Sequence, residues 1–162
     1  GKGLSWFRDT GYAQLIEEID KTEGSKPIAV IFNLGVNDLG NAGNYVSYMT
    51  SIASTLKSKN CKLFYMSVNP INSIMITKAG RGARTEAQVR EFNSKIRSGL
   101  SLDYKYIDMY SVLMKKGYGT NARYDGVDDG DDGLHYTTKT FKRIYYYCIT
   151  YLNTGSINAS YY

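Results

Sequence analysis

The chain has 162 residues, 43% hydrophobic and 22% charged, which suits one globular domain with a sizeable core. Its formal charge is +5, but the basic residues are scattered and form no stripe with interleaved aromatics, which argues against a nucleic-acid partner. No run approaches the apolar length of a membrane span.

Sixteen tyrosines against five phenylalanines and one tryptophan are the compositional oddity. Tyrosine has an apolar body and a polar tip, so it suits half-buried positions and sugar-stacking surfaces alike. The net positive charge is compatible with an anionic surface such as a bacterial wall polymer. Cys61 and Cys148 lie far apart in apolar runs and match no metal spacing, so they read as two buried thiols, with one disulfide as the alternative. No leader is recognisable, and the abrupt opening at Gly1-Lys2-Gly3 predicts that an upstream targeting segment has been removed.

In chain order, residues 1–7 read as a glycine-rich loop. Leu15, Ile16 and Ile19 have helical spacing, which predicts a helix over Tyr12–Lys21 stopped by Gly24. The apolar run 28–34 follows Pro27 and reads as a strand buried on both faces, as in a parallel sheet. A helix is expected over 44–59, with Val46, Met49, Ile52, Ala53 and Leu56 on one face. Residues 62–68 read as a second strand, ended by Asn69-Pro70. The stretch 72–84 looks polar and irregular. Thr85-Glu86-Ala87-Gln88 is a capping box for a helix with Val89, Phe92 and Ile96 inward and Gly99 as its C-cap. Residues 104–110 form an expected third strand and 115–133 a loop. A last helix over 138–152 carries Phe141, Ile144, Tyr145, Cys148, Ile149 and Leu152, and 153–162 reads as a loose tail. Alternating strands and helices predict an α/β domain over 1–152, with a parallel sheet covered by helices on both faces.

Ligands of such sheets bind beyond the carboxyl ends of the strands. Three loops leave strand ends here: Gly35-Val36-Asn37-Asp38, Asn69-Pro70-Ile71-Asn72, and the segment leading to Asp132-Gly133-Leu134-His135. His135 is the chain's one histidine, and imidazole is the side chain best suited to general-base work near neutral pH. Asp132, three residues upstream, can fix its tautomer. The Asn37 amide can stabilise an oxyanion, or it can simply cap a turn. Trp6 can line a pocket or pack ordinarily, and Asn69 is a candidate substrate contact. Arg81 and Arg84 could meet an anionic substrate, with exposed residues ahead of a helix as the default. Asp125, Asp128, Asp129, Asp131 and Asp132 form an acidic cluster, which reads as a solvated loop because its spacing does not match an EF-hand, with a bound Ca²⁺ as the alternative that oxygen ligands would suit. Ser67 is expected inside a strand. No metal and no cofactor are called for.

Gly-x-Asn-Asp after a buried strand, followed by Asp-x-x-His before the last helix, resembles the SGNH, or GDSL-type, ester hydrolase superfamily. The segment Gly1-Lys2-Gly3-Leu4-Ser5-Trp6-Phe7 resembles the glycine block of that family, in a branch common in Gram-positive gut bacteria. The helix ending in Val89-Arg90-Glu91-Phe92-Asn93 is similar to its penultimate helix. The resemblance implies a three-layer α/β/α flavodoxin-like fold and a Ser-His-Asp acyl-enzyme mechanism. His135 would be the base, Asp132 its orienting partner, and Asn37 and Gly3 the oxyanion donors, with Gly1 as the alternative to Gly3. Trp6 and Asn69 would touch substrate.

The family's serine lies in a Gly-Asp-Ser block ahead of the glycine block, so the nucleophile and the first strand or strands are expected upstream of Gly1. The chain alone would then be inactive, because Ser5 does not sit where the family places its nucleophile. The open edge of strand 28–34 would pair with the missing segment or with another chain. The implied substrate is a small acyl ester or an O-acetylated carbohydrate, and the implied location is extracellular or cell-surface. The alternatives are a non-catalytic SGNH-like glycan-binding domain and an unrelated nucleotide-binding flavodoxin-like domain. The second is disfavoured because no phosphate-cradling glycine loop follows a strand.

Overall fold

Helix begins at Leu4, where the sequence suggested loop. In the computed structural model, which describes residues 2–118 and 132–157, α1 (Leu4–Trp6) runs through a single π-helical turn (Phe7–Gly11) into α2 (Tyr12–Lys21). The reason is long-range. The Leu4 N–H, one of the donors a helix start leaves unpaired, is accepted by Asp38 Oδ2 at 2.7 Å. No local signal in residues 1–7 encodes that bond.

The remaining elements are β1 (Ile28–Phe32), α3 (Ala42–Ser58), β2 (Cys61–Met66), α4 (Ser73–Lys78), α5 (Glu86–Gly99), β3 (Tyr104–Ile107), α6 (Met109–Lys115) and α7 (Thr138–Thr154). The strands form one three-stranded parallel sheet in the order β1-β2-β3, with β1 and β2 in register from Ile28↔Cys61 to Phe32↔Tyr65. The α/β expectation therefore holds at that level. Among the described residues β1 stands at the sheet's edge. No described helix is long and apolar enough to cross a membrane.

The chain divides into two compact units. The first comprises Gly1–Met66 and Phe92–Tyr106. Its core is strongly aromatic. Phe7 meets Phe32 and Tyr48 edge-on at 5.6 and 6.0 Å, and Tyr45 meets Phe92 at 5.3 Å. These spacings are the favoured quadrupolar arrangement. Gly35 has φ +122, and a Cβ there would strike the Phe92 ring, so this turn needs glycine on both counts. Much of the tyrosine excess is thus consumed as core: Tyr45, Tyr65 and Tyr104 are buried.

The second unit comprises Ser67–Glu91 and Ile107–Tyr162. It contains α4 and α6, two short helices that the sequence reading missed. Asn72 caps α4 by accepting the Ile74 and Met75 N–H groups, each at 3.1 Å. Asp108 caps α6 by accepting the Ser111 N–H at 3.1 Å. The expected strand over 104–110 accordingly ends at Ile107. In α7 the buried face is Thr140, Ile144, Tyr147 and Cys148, whereas Phe141, Tyr145 and Ile149 are exposed. The helix also runs to Thr154, into the expected tail.

The capping box of α5 is present. The Thr85 N–H donates to Gln88 Oε1 at 2.9 Å, and the Gln88 N–H donates to Thr85 Oγ1 at 3.2 Å. Val89, Phe92 and Ile96 are completely buried. Gly99 is the last residue of the helix, not a left-handed cap beyond it. Cys61 and Cys148 are both buried thiols.

Candidate functional site

The short loop before α7 builds a histidine–carboxylate pair. Asp132 is 5% exposed. Its Oδ1 accepts the backbone N–H groups of Leu134 and His135 at 2.9 and 3.0 Å, which locks the carboxylate to its own loop. Its Oδ2 lies 2.6 Å from His135 Nδ1. A carboxylate can only accept, so Nδ1 carries the hydrogen and Nε2 is left as the proton acceptor. The His135 side chain is 55% exposed, so the ring is held at its inner edge and open at its outer one.

Burial works to raise the Asp132 pKa. It is outweighed by the bonds from the His135 backbone, the His135 ring and the Leu134 backbone, which bring it down to about 2. The pair is therefore built around an ionised carboxylate.

The loop is pinned to the second strand-end loop. The Asn72 N–H donates to the Gly133 carbonyl at 2.8 Å, and the Tyr136 hydroxyl donates to the Pro70 carbonyl. Gly133 has φ +74, and a Cβ there would strike the Asn72 carbonyl and lie 2.8 Å from the Ile76 nitrogen. Gly133→Ala is therefore expected to cost about 2 kcal/mol or more in stability, through both strain and backbone collision. Urea unfolding of the variant would measure it, and an unchanged midpoint would contradict this account of the loop. Thr137 Oγ1 then caps α7 by accepting the Thr140 N–H at 3.3 Å.

One neighbour was not assigned to this pair from sequence. Arg81 places Nε 3.4 Å from Asp132 Oδ2, so it is an ion-pair partner of the carboxylate and not merely a solvated residue ahead of a helix. Asn69 Oδ1 is buried and has no hydrogen-bond partner among the described residues. A buried acceptor left so costs about 1–3 kcal/mol.

The candidate oxyanion donors belong to the first unit. Asn37 Nδ2 donates to the Lys2 carbonyl at 3.0 Å. Asp38 Oδ2 accepts both the Leu4 N–H and the Tyr45 hydroxyl, the latter at 2.8 Å. A Cβ on Gly3 would run into the Asp38 carboxylate, so that close approach requires glycine. Gly3 and Asn37 are thus held in adjoining segments, tied by Asp38 and Tyr45. The sequence reading named Asp38 in the motif and gave it no role; its role is this tie. Comparison with protein-family models, with curated proteins and with solved structures finds no match. The functional reading therefore rests on residues and geometry.

Trp6 is half-buried beneath Lys2, whose ammonium stands 4.0 Å from the ring centroid. Ser67 lies just past the end of β2, fully buried, and its Oγ accepts the Tyr110 N–H at 2.7 Å. That is a structural role. Arg84 donates to the Arg81 carbonyl, which helps shape the loop carrying Arg81. Gly1 and the Asp125–Asp131 part of the acidic cluster lie outside the described residues, as do residues 158–162 of the expected tail. Among the described residues no group of three or more His, Cys, Asp or Glu side chains could hold a metal ion.

Proposed function

We propose that this chain is the base-and-oxyanion part of an SGNH-type ester hydrolase acting on a small acyl or O-acetyl ester of a carbohydrate. The observation that carries the reading is the Asp132–His135 pair, with Nδ1 tied to a buried carboxylate and the ring's other edge exposed. That is the arrangement a general base needs.

In the proposed mechanism a serine outside residues 1–162 attacks the ester carbonyl. His135 Nε2 takes the serine proton, and Asp132 stabilises the resulting imidazolium. The Asn37 amide and the Gly3 N–H receive the tetrahedral oxyanion. As the acyl–oxygen bond breaks, the imidazolium returns its proton to the departing alcohol. Water then attacks the acyl-enzyme by the same route and releases the acid and the free serine. Trp6 flanks the acyl group.

The finer fold reading belongs to the same proposal: a three-layer flavodoxin-like domain whose further strand or strands lie beside the open edge of β1. A partner chain pairing at that edge, and an extracellular or cell-surface location, are parts of it too.

The test is an aryl acetate assay on two proteins. Residues 1–162 alone are expected to give no turnover above background, and the protein carrying the serine segment to give turnover. Turnover by the chain alone that vanishes in Ser5→Ala would make Ser5 the nucleophile and this assignment wrong. Absence of turnover in the protein carrying the serine would remove the hydrolase reading.

A further inference from the structure

The first unit contains a cleft of about 500 Å³ between the helix start at Leu4 and the outer face of α3. Its volume is in the range of small-molecule sites, about 300–1,000 Å³. From α3 it is lined by Asn44, Ser47, Tyr48 and Ser51, with Asn41 just ahead of the helix and Ser5 facing them from α1. The spacing follows the helical repeat, so these groups form one continuous stripe.

The stripe is unusual for its lack of charge. Between Ala42 and Leu56, α3 contains no Asp, Glu, Lys or Arg, in a chain that is 22% charged. A solvated helix face is ordinarily where charges collect. Here the exposed positions carry amides and hydroxyls instead. The two charged residues of the cleft are already engaged. The Arg8 guanidinium is held by both Asp9 carboxylate oxygens at 2.7 and 3.2 Å, and Asp38 is held by the Leu4 N–H and the Tyr45 hydroxyl. The Arg8 charge is offset by Asp9, and the Asp38 carboxylate, bonded only to uncharged donors, disfavours an anionic ligand. Amides and hydroxyls pair well with the alternating donors and acceptors of a polyol. Tyr48 adds a half-buried ring braced edge-on by Phe7 and Tyr12 at 6.0 and 6.3 Å. A braced ring can hold the C–H face of a sugar at little entropic cost.

We infer that the cleft between α1 and α3 is a binding site for an uncharged oligosaccharide. In naming the glycan side of the substrate it rests on the proposed function, but its test involves no turnover and so fails or succeeds separately. The 162-residue chain, labelled with ¹⁵N, is titrated with xylotetraose, cellotetraose and chitotetraose, and with tetragalacturonate as the charged control. The expected result is saturable shifts for residues 41–51 with at least one neutral tetrasaccharide. The exposed double variant Asn44→Ala/Ser47→Ala should weaken that binding about tenfold, since it removes two hydrogen-bonding groups. Tyr48→Ala alone would be a poor probe, because the ring also packs against the core. Three outcomes overturn the inference: no saturable binding of any neutral tetrasaccharide, binding that the double variant leaves unchanged, or preferred binding of tetragalacturonate. Esterase activity missing from the serine-bearing protein would leave this result untouched.

Discussion

On the proposed function, His135→Ala in a protein that carries the proposed serine segment is expected to lower kcat/KM for an aryl acetate by about a thousandfold or more. The expectation follows from what the ring is and what it touches. It is the chain's one imidazole, and its Nδ1 edge is fixed by a buried carboxylate. Truncation leaves the serine with no group to take its proton. The fold should be spared, because more than half of the side chain is solvent-exposed and it fills no part of the core. Circular dichroism and the urea midpoint of the variant should therefore stay near those of the parent. Asn37→Ala removes one of the two proposed oxyanion donors, so its cost should be smaller, about a hundredfold. The ranking separates chemistry from folding. Full activity in folded His135→Ala would make the motif a coincidence.

What could be read from the sequence depended on how locally each feature is specified. The capping box at Thr85–Gln88 and the stripe Val89, Phe92, Ile96 are set by near neighbours, and both are present in the fold. β1 and β2 announced themselves as continuous apolar runs. The short helices α4 and α6 did not, because six or seven residues carry too few apolar positions to display a helical period. Their only signals were the caps Asn72 and Asp108, which read equally well as loop residues. α1 was misplaced because its first N–H is satisfied by Asp38, thirty-four residues away. In α7 nearly every turn carries an aromatic or aliphatic residue, so composition could not say which side faces the core. Thr140 proved to be inside and Phe141 outside.

The candidate site divides in the same way. Asp132 and His135 are three residues apart, and their pairing was read from that spacing together with its place in a loop just before the last helix. Arg81 reaches the same carboxylate from the loop after α4, a proximity that no pattern within the chain encodes. Asp38 and Tyr45 are seven residues apart, but their joint hold on Leu4 depends on where α1 begins.

Asp132→Asn should act on both rate and stability, and the two effects have different causes. Asn Oδ1 can still accept the Leu134 and His135 N–H groups, so the loop keeps its local geometry. The position of Oδ2, however, can now become an amide nitrogen, which donates to His135 Nδ1 and drives the ring's hydrogen to Nε2. That is the wrong tautomer for a general base, and the imidazolium also loses its charge partner. In the serine-bearing protein the expected loss in kcat is about 10²- to 10⁴-fold. ¹⁵N shifts of the single imidazole should report the change of tautomer directly, even in the chain alone. The stability effect follows from the carboxyl's pKa of about 2, which lies below its ordinary value of 3.8. A depressed carboxylate contributes stability above the unfolded-state pKa and loses it as pH falls through the folded one. The parent should therefore exceed the variant by about 2 kcal/mol at neutral pH, the advantage declining from about pH 5 and vanishing near pH 1. Urea unfolding at several pH values checks the slope. A stability difference that stays constant across that window would mean that Asp132 is held by packing and not by its charge.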